Sequence, residues 1–121
     1  MSSCPEMATR SPGTDRQFVK GAATTVILSL LAESPMHGYE LIRTIRDRTG
    51  GIFEFGDGTI YPLLYGLRDK GLVKSESEIA DGGRLRKIYR LTPAGRAALK
   101  RHRSDWKMFA RGMALALKRQ T

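Results

Sequence analysis

Residues 58–93 read GTIYPLLYGLRDKGLVKSESEIADGGRLRKIYRLTP, and this stretch decides the fold. Its first part has helical spacing. Ile60, Leu63, Leu64 and Leu67 fall at i, i+3, i+4 and i+7, which makes one buried stripe. A helix over 59–71 is expected, with Thr59 as N-cap and Pro62 in the first turn, where backbone donors lack partners anyway. The opposite face carries Thr59, Tyr61, Tyr65 and Arg68, unusual company for a plain solvated surface. Residues 72–79 and 85–91 then read as two strands. Between them, Asp81-Gly82-Gly83 suits the positive backbone angles that a hairpin turn requires. Thr92-Pro93 opens another helix, with N-cap and first-turn proline, which can run to about residue 118.

Two more helices precede this stretch. Over 16–33, Val19, Ala22, Ala23, Val26, Ile27, Leu30 and Leu31 keep a wide apolar face. Ser34-Pro35 stops it, because the residue before proline avoids the helical region. Over 37–49, Leu41, Ile42 and Ile45 form the buried stripe, and Gly50-Gly51 provides a left-handed stop. Residues 52–55 (Ile-Phe-Glu-Phe) alternate and are expected to form a short strand. The order is helix, helix, short strand, helix, hairpin, long helix. Three short helices and a basic hairpin make the winged helix-turn-helix plan, mainly α with a small β-hairpin. Residues 1–15, rich in Ser, Pro, Thr and Gly, read as a disordered tail. The winged helix-turn-helix domain is expected over 16–92 and a C-terminal dimerisation helix over 93–121.

Composition narrows the function. The chain has 121 residues, one domain's worth, and a net charge of +9, which points to a polyanion or an acidic surface as partner. Residues 93–121 carry eight basic side chains against Asp105 alone; the central region is nearly balanced, so its cations matter by position. One cysteine, Cys4, excludes an internal disulfide framework and a cysteine-rich zinc site, and a reducing cytoplasm is the expected compartment. The apolar stretch 22–32 falls short of the roughly 18 residues a membrane span needs. Arg16 and Lys20 precede it as in a signal peptide, but it starts late and follows helical spacing. No catalytic residues, metal site or cofactor are expected: His37 and His102 have no partner at ligand spacing, and no Gly-rich phosphate loop occurs.

Several strings together carry a family resemblance. They are Met36-His37-Gly38-Tyr39-Glu40-Leu41, Gly58-Thr59-Ile60-Tyr61-Pro62-Leu63-Leu64, Gly71-Leu72-Val73, and Gly82-Gly83-Arg84-Leu85-Arg86-Lys87-Ile88-Tyr89-Arg90-Leu91-Thr92-Pro93-Ala94-Gly95-Arg96. At this spacing the chain resembles the PadR family of bacterial transcription regulators, over about residues 20–110. The resemblance implies a winged-helix DNA-binding domain, a C-terminal dimerisation helix, and repression relieved by a small molecule. The single terminal helix resembles the shorter-tailed members. Gly66, mid-helix, departs slightly and costs roughly 1 kcal/mol against alanine.

The candidate sites follow. A helix-turn-helix lays its second helix in the major groove, which puts Thr59, Tyr61, Tyr65 and Arg68 at or near DNA. Tyrosine hydroxyls suit phosphate oxygens; packing against the wing or the first helix is the plainer reading, and the resemblance favours DNA contact for Tyr61. Arg84, Arg86 and Lys87 cluster beside the glycine turn, where a wing tip can enter a minor groove or grip phosphate. His37 is expected to be structural, Gly38 to allow close approach of backbone, and Tyr39 to lie at the core edge. In the last helix Leu99, His102, Trp106, Phe109, Met113 and Ala116 repeat at alternating steps of three and four, a seam suited to a second helix. A homodimer on an inverted-repeat operator is expected. Trp106 either fills the dimer core or stacks a planar aromatic effector, the matching position lining a drug pocket in some PadR-like regulators. The alternative function is a protein- or membrane-surface interaction module acting through Arg101, Arg103 and Lys107 on a basic amphipathic helix.

Overall fold

A computed structural model of the chain describes residues 16–118, with side chains from Lys20 onward. The expected tail over 1–15 and residues 119–121 lie outside the described residues, as does the side chain of Val19 of the first stripe.

Helix α1 (Arg16–Glu33) is the centre of the domain. It packs against α2 (Gly38–Arg48), α3 (Asp57–Asp69), strand β3 (Leu85–Leu91) and α4 (Pro93–Ala116). Cover from several sides explains why Leu28, off the expected stripe, is as buried as Ile27. Each such aliphatic side chain contributes roughly 1.5–3 kcal/mol on full burial. Leu41 and Ile45 of α2, Ile60, Leu64 and Leu67 of α3, and Ala98 and Leu99 of α4 close on it. Helix α2 ends as its glycines require: Gly50 and Gly51 have φ of 60° and 85°, and the Gly51 N–H donates to the Arg46 carbonyl at 2.9 Å. Arg48 at that end donates to Glu33 at the end of α1 at 2.8 Å, and this hydrogen bond holds the Glu33 carboxyl below its ordinary range. The pair therefore supports the fold at neutral pH and stops doing so as acid protonates Glu33. Both groups are exposed, so its share is small.

The third strand is not where alternation places it. Residues 52–55 form no strand. Phe53 and Phe55 stack at 5.3 Å between centroids, Phe55 is buried in the core, and the Phe53 N–H donates to the Thr49 hydroxyl at 3.0 Å. Their apolar spacing records burial in an irregular segment that pairs with no strand. The strand that does form, β1 (Met36–His37), is two residues long and pairs antiparallel with β3, Met36 opposite Tyr89 and His37 opposite Ile88. With β2 (Val73–Ile79) the sheet order is β1-β3-β2.

Helix α3 starts two residues before the expected point. Gly56, extended at φ −98°, is the N-cap in place of Thr59, and Asp57 lies in the first turn, where the helix dipole favours a carboxylate. The Thr59 and Ile60 N–H groups both donate to the Gly56 carbonyl at 3.0 Å. Pro62 is consequently inside the helix, one turn deeper than expected. The helix runs on through Gly66, around which there is open space.

The wing turn matches its chemistry, with Gly82 and Gly83 at φ of 86° and 83°. Thr92 caps α4 as expected: its hydroxyl accepts from the Gly95 N–H at 3.0 Å and donates to the Gly71 carbonyl at 2.7 Å. Helix α4 ends at Ala116, two residues short of the expected end.

Candidate nucleic-acid interface

The buried stripe of α3 faces α1, which leaves Tyr61 and Tyr65 on the side toward β3 and the start of α2. There they line a cleft of about 270 Å³ together with His37, Tyr39, Glu40, Arg86 and Lys87. Four of the seven DNA-contact candidates, Tyr61, Tyr65, Arg86 and Lys87, thus share one cleft between helix and wing. Thr59 is half-buried in the first turn of α3. Arg68 lies over the Tyr65 ring at 5.2 Å and loosely faces Asp69 at 3.8 Å. Arg84 is exposed at the wing turn.

Tyr61 is half-buried because α2 begins on a glycine. A Cβ at Gly38 would meet the Tyr61 ring 2.5 Å away, so the close approach at Gly38 is by an aromatic ring and not by backbone. Burial is the main reason the Tyr61 hydroxyl titrates above its ordinary range, with Asp57 adding to it; the Tyr89 hydroxyl is raised by burial in the same way. Both are neutral at physiological pH; Tyr89 is buried in the core, and Tyr61, half-buried, keeps the O–H donor that suits a phosphate oxygen.

His37 ties the wing to this cleft. Its Nδ1 donates to the Lys87 carbonyl at 3.1 Å, and its Nε2 lies 3.4 Å from the Glu78 carboxylate. The Glu40 carboxylate accepts from the His37 backbone N–H at 2.8 Å. Strand β3 is thereby fixed at the residue whose side chain enters the cleft. Arg90 is taken up by Glu76, to which it donates at 3.0 Å. Among the described residues Arg84, Arg86 and Lys87 make no ion pair, so their charge is available to an anion.

Sequence reasoning missed Tyr39. It is 63% exposed, not at the core edge, and the Arg43 guanidinium lies over its ring at 5.4 Å. The signal was there: Tyr39 and Arg43 are four apart and fall off the Leu41–Ile45 stripe.

The seam residues of α4 divide. Leu99 is buried in the domain's own core and is not free for a second copy. His102 reaches the Thr25 hydroxyl at 3.2 Å. That hydroxyl gives its one proton to the Gly21 carbonyl at 3.1 Å, so His102 Nδ1 is the donor. A neutral His102 then has no second N–H for an anionic ligand; only its cation would donate. Trp106 meets Phe109 edge-to-face at 5.2 Å and closes an apolar cavity of about 240 Å³ with Ala22, Thr25, Val26 and Phe53. Beyond it Phe109 is 48% and Met113 43% exposed, and Met108, Leu115 and Leu117 are exposed as well.

On the other side of α4, Arg96, Lys100, Arg103 and Lys107 line a groove closed by Ala32 and Ser104, where Arg103 donates to the Ser29 hydroxyl at 3.1 Å. Arg101 is exposed. Among the described residues no helix is long and apolar enough to cross a membrane, and no group of three His, Cys, Asp or Glu could hold a metal ion.

Comparison with known proteins bears on this geometry. The model of the transcriptional regulator PadR-like family matches residues 27–101. Transcriptional regulator Rv3488 of Mycobacterium tuberculosis is 40% identical over 96 residues, which is 79% of this chain and 86% of that protein. A transcriptional regulator from Clostridium thermocellum, Cth-833, superposes with a TM-score of 0.77 at 28% identity, over 84% of this chain and 99% of the other. A PadR family transcription regulator from Clostridium difficile R20291 does so with a TM-score of 0.69 at 30% identity, over 79% and 98%.

Proposed function

This chain belongs to the transcriptional regulator PadR-like family, and from that premise we propose that it acts in the cytoplasm as a homodimeric repressor. Its winged helix grips an inverted-repeat operator in double-stranded DNA, and a small molecule releases it. The observation that supports this most is the cleft between α3 and β3. It gathers two tyrosine hydroxyls, of Tyr61 and Tyr65, and two cations without an ion pair among the described residues, Arg86 and Lys87, beside the helix that such a fold lays in the major groove. Thr59 and Arg68 extend the same contact along α3, and Arg84 extends it along the wing.

The exposed apolar half of α4 supports the dimer. A soluble chain rarely leaves so many large apolar side chains on one helix end without a partner, and Phe109 and Met113 together with Trp106 offer a surface that can pair with its own copy. The cavity beside Trp106, lined by apolar atoms, suits a planar aromatic effector. Stacking there contributes on the order of 1 kcal/mol beyond burial. Such a ligand releases DNA only by favouring one dimer geometry over the other.

Selection of random double-stranded fragments on the purified protein tests the reading. The recovered sites should be inverted repeats with half-sites about 10 base pairs apart, centre to centre, and one should lie upstream of the chain's own coding region. Recovery of no shared motif would remove the sequence-specific operator.

A further inference from the structure

The wing carries an apolar feature that the grip described above leaves unused. The register of β2 and β3 sets Ile79 directly opposite Leu85, and opposed residues of an antiparallel pair project from the same face. Nearer the domain that face is core, with Val73 opposite Leu91 and Ser75 opposite Tyr89. Past Tyr89 it leaves the core. Ile79 is 73% and Leu85 71% exposed, and they are the last pair before the turn, where the Ala80 N–H donates to the Arg84 carbonyl at 2.7 Å. One exposed leucine carries no meaning. Two aliphatic side chains side by side at a hairpin tip lie outside the core of this fold and contribute at most the small cross-strand gain of an opposed pair; the residues around them define their surroundings.

Arg84 precedes Leu85, and Arg86 and Lys87 follow it, none of them in an ion pair among the described residues. Of the nearby acids, Glu78 stands opposite Arg86 in the register with its carboxylate toward the His37 ring, and Asp81 lies within the turn. The tip therefore presents an apolar pair on one face of a narrow two-stranded element, with Lys87 on that face and Arg86 on the other, and Arg84 at the turn. The minor groove of DNA has that complement. Its walls are the apolar edges of deoxyribose, its rims are phosphate, and its negative potential draws guanidinium groups. Proteins that enter it use leucine and isoleucine to part base steps.

We propose that Ile79 and Leu85 form an apolar wedge that enters the minor groove beside each half-site, widens it and bends the duplex. The inference rests on the DNA-binding reading above. It adds a source of sequence preference that involves no hydrogen bond to a base: the wedge favours steps that unstack easily. Operators should then carry TA or CA/TG steps where the wing lands.

The test uses the full chain and an end-labelled duplex carrying a selected site. Affinity is measured across a salt series, and bending is measured by energy transfer between the duplex ends. The double variant Ile79→Ser with Leu85→Ser should bind roughly tenfold or more weakly at every salt concentration, because apolar burial is lost. Its salt slope should stay unchanged, and energy transfer in the complex should fall toward that of free duplex. Arg84→Ala should do the opposite to the slope, lowering it by roughly 0.9. Both serines replace exposed side chains, so the thermal midpoint should move by no more than the small loss of a cross-strand pair; a fall in midpoint that alone accounted for the lost affinity would overturn the wedge. So would a double variant that binds and bends DNA as the parent does. A double variant with unchanged DNA binding but altered sedimentation would make the pair a contact between copies, and the wedge would again be wrong. If the parent bound no duplex at all, the DNA-binding reading itself would fail, which is distinct from a parent that binds but is insensitive at Ile79 and Leu85.

Discussion

Gly95→Ala should destabilise the domain by about 3 kcal/mol, at the upper end of what overpacking a close-packed site costs. The reason is where Gly95 sits. It is in the first turn of α4, and a Cβ there would run into the Leu72 carbonyl oxygen and the Leu91 side chain. A flexible side chain could move aside, but the carbonyl cannot. It accepts from the Thr92 N–H at 3.1 Å, while the Thr92 hydroxyl ties Gly71 and Gly95 to the same junction. Room for a methyl group would cost that cap or the join between wing and helix. A thermal melt followed by circular dichroism should fall by roughly 10–20 °C for a domain of this size. Gly66→Ala is the contrast. The space around Gly66 is open and its backbone is helical, so alanine there should raise stability by up to about 1 kcal/mol. A melt of Gly95→Ala equal to that of the parent would mean that the junction is looser than described.

The second large effect concerns assembly. Phe109→Asp with Met113→Asp should convert a dimer of roughly twice 13.5 kDa into a monomer at micromolar concentration, because each carboxylate would be buried unpaired at the interface. Sedimentation measures this directly. Both positions are about half exposed in the single chain, so the fold itself should survive and the melt of the isolated domain should change little. DNA affinity should drop by roughly a hundredfold or more, since a monomer holds one half-site and loses the gain from linking two. A parent chain that sediments as a monomer would remove the dimer, and with it the expectation of an inverted repeat.

The elements that announced themselves in the sequence were those closed by glycine or proline. Gly50-Gly51, Gly71 and Gly82-Gly83 all have positive φ and mark helix ends and the wing turn as their chemistry demands. Ser34-Pro35 and Thr92-Pro93 did the same for α1 and α4. What could not be read was set by tertiary partners. Strand β1 is two residues long, too short for any period, and exists because β3 offers it an edge. Residues 52–55 alternate like a strand, but core burial of Phe55 and stacking of Phe53 produce that pattern without a ladder. At the site, Arg86 and Lys87 were legible as a cluster beside a turn. Their meeting with Tyr61 and Tyr65 in one cleft depends on His37 holding the Lys87 carbonyl and on Gly38 admitting the Tyr61 ring, both of which are distant in sequence from the wing. Leu99 shows the reverse. It fits the heptad-like spacing of α4, yet the domain buries it in its own core, because the first turns of α4 already have α1 as their partner.

In the function proposed above, the cleft between α3 and the wing grips the DNA backbone. This grip is tested most directly by the salt dependence of operator binding for the parent, Arg86→Ala and Lys87→Ala. Each substitution should weaken binding and lower the slope of log affinity against log salt by roughly 0.9, with the thermal midpoint unchanged because both side chains are exposed. Affinity and slope equal to those of the parent in both variants would contradict it and move the DNA contact away from this cleft.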